Sequence, residues 1–519
     1  MKKIFLLAVI LSSVVTAFSQ NEISIIPEPA KLTRNEGRFV LPSKISIGAD
    51  QDPGLKQAIA DLTARLTIPT GYHVDLNNGN SATISLRLNK NAVPELGNEG
   101  YQLNVTSKNV TITANRPAGI FYGVQSFLQL LPAEIASDTL IKNTSWTAPC
   151  VSVTDYPRFG WRGLMLDVSR HFFTKEEVKK YITEMSAYKY NVLHLHLSDD
   201  QGWRIEIKSL PQLTQVGAWR VKRTGLWSEF PPALAFEKAT DGGFYSQDDM
   251  REIINYAKDR NITILPEIDV PAHSLGLIAS FPNLSCTQLP YSVNAGFRSP
   301  SRVDNVLCIG NDSSFIMLDK IFTELAALFP NEYIHVGGDE AYKGFWTDCP
   351  KCQKRMTDEK LKNEDELQSY FMRRVEGILK SKGKKLIGWD EIMQGGLAPE
   401  ATVMSWRGMK GGVDAARMNH HVVMAPWDYC YLDLYQGEQS VEPPTYGICR
   451  LTDSYNYDPV PDRVLSRVQS GIRGLRRQSR AKHALAEHAL LGEVIHVGAR
   501  RALISIAPQV VGPQSIHRQ

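Results

Sequence analysis

Beyond its opening residues the chain lacks any apolar run approaching the about 20 residues that a bilayer-spanning helix needs, which excludes a membrane bundle. The one early run, Ile4 to Leu11, is too short for a span. It follows the basic pair Lys2 and Lys3 and precedes Ala17-Phe18-Ser19, which sets small residues at the two cleavage-site positions. Residues 1–19 are therefore expected to be a signal peptide, with the mature chain starting near Gln20 and exported to the periplasm or the medium. No Cys follows that run, so a lipid-attached form is not suggested. Cysteine is scarce and odd in number: seven allow disulfides in an exported protein but leave at least one without a partner in the chain. Only one C-x-x-C occurs, Cys349-Pro-Lys-Cys352, with no second such pair and no His nearby. On its own it is weak support for zinc or redox chemistry. A structural role is expected, with no metal and no cofactor.

A basic excess is also missing from most of the chain. The net charge of +3 comes from the segment 463–519, where nine Arg and one Lys face Glu487 and Glu493. The remainder is net acidic, which speaks against nucleic acid as a partner. Hydrophobic residues at 43% and charged residues at 22% describe an ordinary folded protein, and 519 residues are too many for one ordinary domain.

Two patterns succeed each other along the chain. Within 20–150, Tyr101, Leu103 and Val105 alternate with polar neighbours, as do Val110 and Ile112, which predicts strands. Gly119 to Leu131 then suits a buried helix, so this segment is read as a small α/β domain. From Arg162 strands and helices alternate, and residues 155–462 are read as a second domain. The spacing predicts strands at Leu164–Val168, Asn191–Ser198, Thr263–Ile268, Tyr333–Val336, Lys385–Gly388, Thr402–Ser405 and Val422–Ala425. Thr174-Lys-Glu-Glu177 has the form of a capping box opening a helix. Seven such units imply a parallel sheet and a (β/α)₈ TIM barrel lacking a clear eighth strand.

Acidic and tryptophan residues gather just past these strands: Asp199-Asp200, Glu267 and Asp269, Asp339-Glu340, Trp389-Asp390-Glu391 and Trp406. In a (β/α)₈ barrel that is the face where active sites are built. The sharpest motif is His335-Val-Gly-Gly-Asp-Glu340. Its glycines let backbone approach a ligand. Of its two carboxylates, one can be kept protonated by the charge of the other, the division of labour that cleavage of a glycosidic bond requires. A metal site is the rival chemistry for such a pair.

The chain resembles family 20 glycoside hydrolases, the β-N-acetylhexosaminidases, over roughly residues 95–460. The resemblance rests on Gly163-Leu-Met-Leu-Asp-Val-Ser-Arg-His171, Leu193-His-Leu-His-Leu-Ser-Asp-Asp-Gln-Gly-Trp203, Pro266-Glu-Ile-Asp-Val-Pro-Ala-His273, His335–Glu340, Gly388-Trp-Asp-Glu391 and Tyr431-Leu-Asp433, in that order. It implies a barrel preceded by a small α/β domain, and a glycan with a terminal β-linked N-acetylhexosamine as partner. It also implies catalysis in which the 2-acetamido oxygen of the substrate attacks the anomeric carbon. Glu340 would be the acid and then the base, and Asp339 would orient the acetamido group. Arg170 would bind sugar hydroxyls, with Asp199 and His273 supporting Glu340. Trp389 and Trp406 would wall the pocket, Tyr431 would bond the acetamido oxygen, and Asp433 would contact the sugar or position its neighbours. Glu267 and Asp269 would support these groups without touching substrate.

After Pro461 the resemblance stops. The Trp and the Glu two residues later that should end the family's eighth strand are absent, and no aromatic residue follows Tyr457. A shifted reading frame near residue 463 would produce such an Arg-rich tail; alternatively, Leu491 to Val497 supplies a substitute strand. The missing pair leaves a second reading, a sugar-binding or truncated chain with impaired turnover.

Overall fold

The structure, a computed structural model, describes residues 23–76, 82–225, 230–234, 236–296, 304–460 and 492–497. The expected signal peptide and most of the Arg-rich tail lie outside the described residues. The chain divides between Arg158 and Phe159 into two compact units, with Ala187–Lys189 counted in the first.

The first unit is a seven-stranded sheet carrying two helices. Its strands are β1 (Lys31–Val40), β2 (Lys44–Ala49), β3 (His73–Leu76), β4 (Ile84–Leu88), β5 (Tyr101–Val105), β6 (Val110–Ala114) and β7 (Thr147–Asp155), in the order β1-β7-β5-β6-β4-β2-β3. The predicted alternation holds: Tyr101, Leu103, Val105, Val110, Ile112 and Ala114 are all buried. They share one core with α1 (Lys56–Thr67) and α2 (Pro117–Leu130). A Cβ at Gly123 of α2 would come within 2.5 Å of Ile112 Cγ2, so glycine there lets the helix lie close on the sheet.

The second unit is a ring of parallel strands: β8 (Trp161–Asp167), β9 (Val192–His196), β10 (Thr263–Glu267), β11 (Tyr333–His335), β12 (Lys385–Trp389), β13 (Thr402–Ser405), β14 (Val422–Met424) and β15 (Gly492–Val497). Both faces of such strands are covered, which is why they read as near-continuous apolar runs. In β13, Val403 packs in the core shared with the surrounding helices, while Met404 joins Met165, Leu265, Ile387 and Val423 inside the ring. The eighth place, for which the sequence offers no clear strand, holds Gly492–Val497, in register with Trp161–Leu166 on one side and with Val423 and Met424 on the other.

Helices α3 (Lys175–Ala187), α4 (Gln247–Asp259), α5 (Asp312–Leu328), α6 (Pro350–Asp358), α7 (Glu364–Ser381) and α8 (Met409–Arg417) fill the connections. The capping box forms at α3: Thr174 donates its backbone N–H and its hydroxyl to the Glu177 carboxylate at 2.7 and 2.8 Å. Ser246 and Asp249 make the same reciprocal cap at α4. Because every strand of the ring points the same way, the residues just beyond β8 to β14 collect on one rim.

Candidate active site

Glu267, the last residue of β10, is fully buried and is the hub of the rim. Strand register sets it opposite His196 of β9 and His335 of β11. His196 Nδ1 donates to Oε2 at 2.7 Å and Trp389 Nε1 donates to Oε1 at 2.9 Å. His335 Nδ1 and His194 Nε2 lie 3.0 and 2.9 Å from its oxygens. Burial would raise its pKa, but His335, His196 and His194 together outweigh burial and hold the carboxyl well below the usual range. Burial drives His194 down to about 4, so it is neutral. His196 is held well above the ordinary imidazole value, because Glu267 and Asp167 outweigh its burial. Trp389 is only 5% exposed and its ring lies 4.7 Å from that of His335.

A polar chain runs outward from this hub. His196 Nε2 donates to Asp199 Oδ2 at 2.9 Å. Asp199 also takes Arg170 Nη2 at 2.6 Å and His273 Nδ1 at 3.1 Å, and Arg170 Nη1 reaches Asp167 Oδ2 at 2.8 Å. Burial opposes ionisation of Asp199, yet Arg170, His273 and His196 keep its pKa well below normal. His273 is held well above its ordinary value, since Asp199 and Asp339 outweigh its burial. Its Nε2 stands 3.5 Å from Glu340 Oε2 and 3.6 Å from Asp339 Oδ2, so one imidazolium faces both carboxylates.

The two carboxylates owe their positions to the turn after β11. Gly337 and Gly338 have φ of +66° and +95°, and a Cβ on Gly337 would stand 1.7 Å from Asp269 Oδ1. Glu340 and His273 are themselves left-handed, at φ +46° and +50°. That conformation costs an L-residue roughly 1–2 kcal/mol and is held here by the surrounding packing. Asp339 Oδ1 is buried without a hydrogen-bond partner, whereas the Glu340 side chain is 61% exposed.

In the free chain their pKa shifts run opposite to the expected division. Burial, with Glu267 and Glu340 adding to it, raises the Asp339 pKa against the pull of His273. His273 lowers that of Glu340 against partial burial. Proximity of the two carboxylates is therefore not the deciding factor; the imidazolium and the unequal exposure are. Asp269 is pushed well above the usual carboxylate value by burial and by Asp339, and Gly338 N–H donates to its Oδ1 at 3.3 Å.

The opposite side of the rim comes from β13 and β14. Trp406 stacks on Tyr431 with centroids 6.2 Å apart, and its Nε1 donates to Glu391 Oε2 at 2.9 Å. Burial, then Asp339, pushes Glu391 up to about 8. Asp433 accepts from the Tyr446 hydroxyl at 3.4 Å. The structure thus joins Arg170, Asp199, His273, Asp339 and Glu340 by direct contacts, and links Trp406 to Tyr431, Trp389 to Glu267, and Asp433 to Tyr446. Sequence reasoning gave no role to His194, His196, His335 or Glu391. The signal for two of them was present, because His194 and His196 alternate with Leu and so share a strand face. Several of these His and carboxylate atoms lie close enough to hold an ion; within them, His196 already donates to Glu267 and Asp199.

The family models described as "Glycosyl hydrolase family 20, catalytic domain" and "Glycosyl hydrolase family 20, domain 2" match residues 159–488 and 22–156. A Porphyromonas gingivalis protein named beta-hexosaminidase is 42% identical over 85% of this chain, which spans 55% of that relative's length. A Vibrio furnissii beta-hexosaminidase is 36% identical over 84% of this chain and 69% of its own. Among solved structures, a Streptomyces plicatus N-acetyl-beta-hexosaminidase in complex with Thio-NAglucal superposes with a TM-score of 0.74 at 30% identity, covering 92% of this chain and 85% of that one.

Proposed function

The chain belongs to glycosyl hydrolase family 20, and on that premise we propose that it is an exo-acting β-N-acetylhexosaminidase that removes terminal β-linked N-acetylglucosamine or N-acetylgalactosamine from glycans. The observation that carries this is Asp339: a buried carboxylate oxygen with no partner, beside an exposed carboxylate one residue on. An unpartnered acceptor of that kind calls for a donor from the ligand, and the N–H of a 2-acetamido group supplies one. A Streptomyces plicatus variant of the family was solved with GlcNAc as product, in keeping with that donor.

In this mechanism Asp339 holds the acetamido N–H and turns its carbonyl oxygen toward the anomeric carbon. Attack by that oxygen breaks the bond to the leaving group, whose oxygen takes a proton from Glu340. The resulting oxazolinium carries a positive charge that Asp339 offsets, and water activated by Glu340 then opens it. Glu340 starts low because His273 is charged and water reaches it. A bound sugar would strip that water, which raises a carboxylate pKa and prepares Glu340 as acid. Arg170 would fork onto sugar hydroxyls, and the Trp406–Tyr431 stack would face the sugar and its acetamido group.

Hydrolysis of a chromogenic N-acetyl-β-glucosaminide, with Glu340→Gln alongside and folding checked in both, tests this. General acid–base catalysis is worth about 10²–10⁴-fold, so a loss of that size is expected. A folded wild-type chain without turnover would favour the impaired sugar binder, which Glu340→Gln should leave unchanged in affinity. Export to the periplasm or medium belongs to the same proposal, and an N-terminus at or near Gln20 in the mature protein is its check.

A further inference from the structure

Four of the seven cysteines meet at one place, and none belongs to the catalytic chain described above. Cys286 follows the turn Pro282–Leu284, and Cys308 lies further along the same connection. An antiparallel bridge between Ser285 and Leu307 brings the two together, and Cys308 N–H donates to Leu284 O at 2.7 Å. Cys349 caps α6 and Cys352 lies in its first turn. The sulfurs of Cys286 and Cys352, of Cys308 and Cys349, and of Cys308 and Cys352 are each 3.7 Å apart, and one sulfur from each of the four lies within 4.8 Å of the rest.

This spacing is wrong for disulfides and right for a metal. A disulfide needs about 2.05 Å between sulfurs, and Cys352 stands equally far from two candidate partners. Four thiolates around zinc at about 2.3 Å form a tetrahedron whose edges are about 3.8 Å. The backbone is fitted to the cluster as well. A Cβ at Gly310 would strike Lys351 and Cys352 backbone atoms at 2.1–2.4 Å, so only glycine lets this connection touch the start of α6. Gly310 N–H then donates to Cys352 Sγ at 3.4 Å, an acceptor role that suits a thiolate.

We propose that Cys286, Cys308, Cys349 and Cys352 form a tetrathiolate zinc site that clamps the connection bearing Asp269 and His273 to the one bearing Asp339 and Glu340. All four positions are filled by protein, so the ion is structural and takes no part in turnover. One Zn²⁺ enters as four thiols lose four protons, and no oxidant is needed. The clamp fixes the two connections whose separation sets the distance from His273 to the carboxylates. It stands independently of the proposed activity.

The test is metal analysis of the full chain, purified without chelator and desalted, beside Cys308→Ser, with peptide mapping under non-reducing conditions. About one zinc per chain is expected, with a fall of tenfold or more in Cys308→Ser and the four cysteines alkylated only after chelation. Should Cys308→Ser fail to fold, cobalt exchanged into the wild-type chain should give the intense visible and near-ultraviolet bands of a tetrahedral sulfur site. Disulfides among the four, thiols that alkylate without chelator in a metal-free chain, iron in place of zinc, or full zinc retention in Cys308→Ser would each overturn the proposal.

Discussion

Replacing Asp199 with Asn keeps shape and removes one charge from the centre of the polar chain. Asp199 is fully buried and receives Arg170 at 2.6 Å, His196 at 2.9 Å and His273 at 3.1 Å. An amide offers one oxygen in place of two, and its NH₂ must face a donor. Breaking a buried ion pair by removing one partner costs about 3–5 kcal/mol, because the other charge is left uncompensated. Here three cations share the loss, and the histidines can escape it by shedding protons, so the lower half of that range is expected at pH 6. The pH dependence carries the signature. The depressed Asp199 pKa gives stability present above about pH 4 and lost as pH falls through the folded value. The raised His196 and His273 pKa values give stability fully present below about 6.5 and lost as pH rises through their folded values. Wild-type stability from this cluster should therefore peak between those limits. In Asp199→Asn both flanks should flatten, and the Glu340 carboxyl should rise as His273 loses its proton, moving the alkaline limb of the pH–rate profile, which loss of the Glu340 proton sets, upward. Urea denaturation from pH 4 to 9 measures the first effect and kcat/KM against pH the second. A loss under about 1 kcal/mol, the scale of a solvated surface pair, with an unmoved profile, would refute the account of a coupled buried chain.

Glu391, pushed up to about 8 by burial and Asp339, contributes stability that is complete below about pH 4 and lost progressively as pH rises to 8; Glu391→Gln should flatten the fall in Tm between pH 5 and 8, and an unchanged slope would contradict the buried neutral acid. Gly337→Ala combines a left-handed φ with a Cβ 1.7 Å from Asp269 Oδ1, so it should cost more than the roughly 1–2 kcal/mol of the conformation alone and lower turnover by displacing Asp339; denaturation and kcat together check it.

The first seven barrel strands were legible because they are largely buried on both faces, so Leu164–Val168 or Thr402–Ser405 stands out as a short apolar run bounded by polar turns. The candidate carboxylates Asp339 and Glu340 were legible because they are contiguous, as are Arg170 and Asp199 with their strands. The features that escaped sequence reasoning join different connections through space. Glu267 gains His196 and His335 by strand register, and Cys352 gains Cys286 and Cys308 from 66 and 44 residues away by a loop bridge. The opposite pKa shifts of Asp339 and Glu340 escaped for the same reason, since burial raises one and His273, from another strand end, lowers the other. A contiguous motif can supply reacting groups, but only packing can give neighbouring carboxylates unequal exposure and an unequal share of one imidazolium. The chemistry is thus written locally and its tuning is not. Substitutions at Glu340 should lower turnover by about 10²–10⁴-fold, whereas those at His196, Asp199 or the cysteine cluster should shift pH dependence and stability while leaving the reaction itself recognisable.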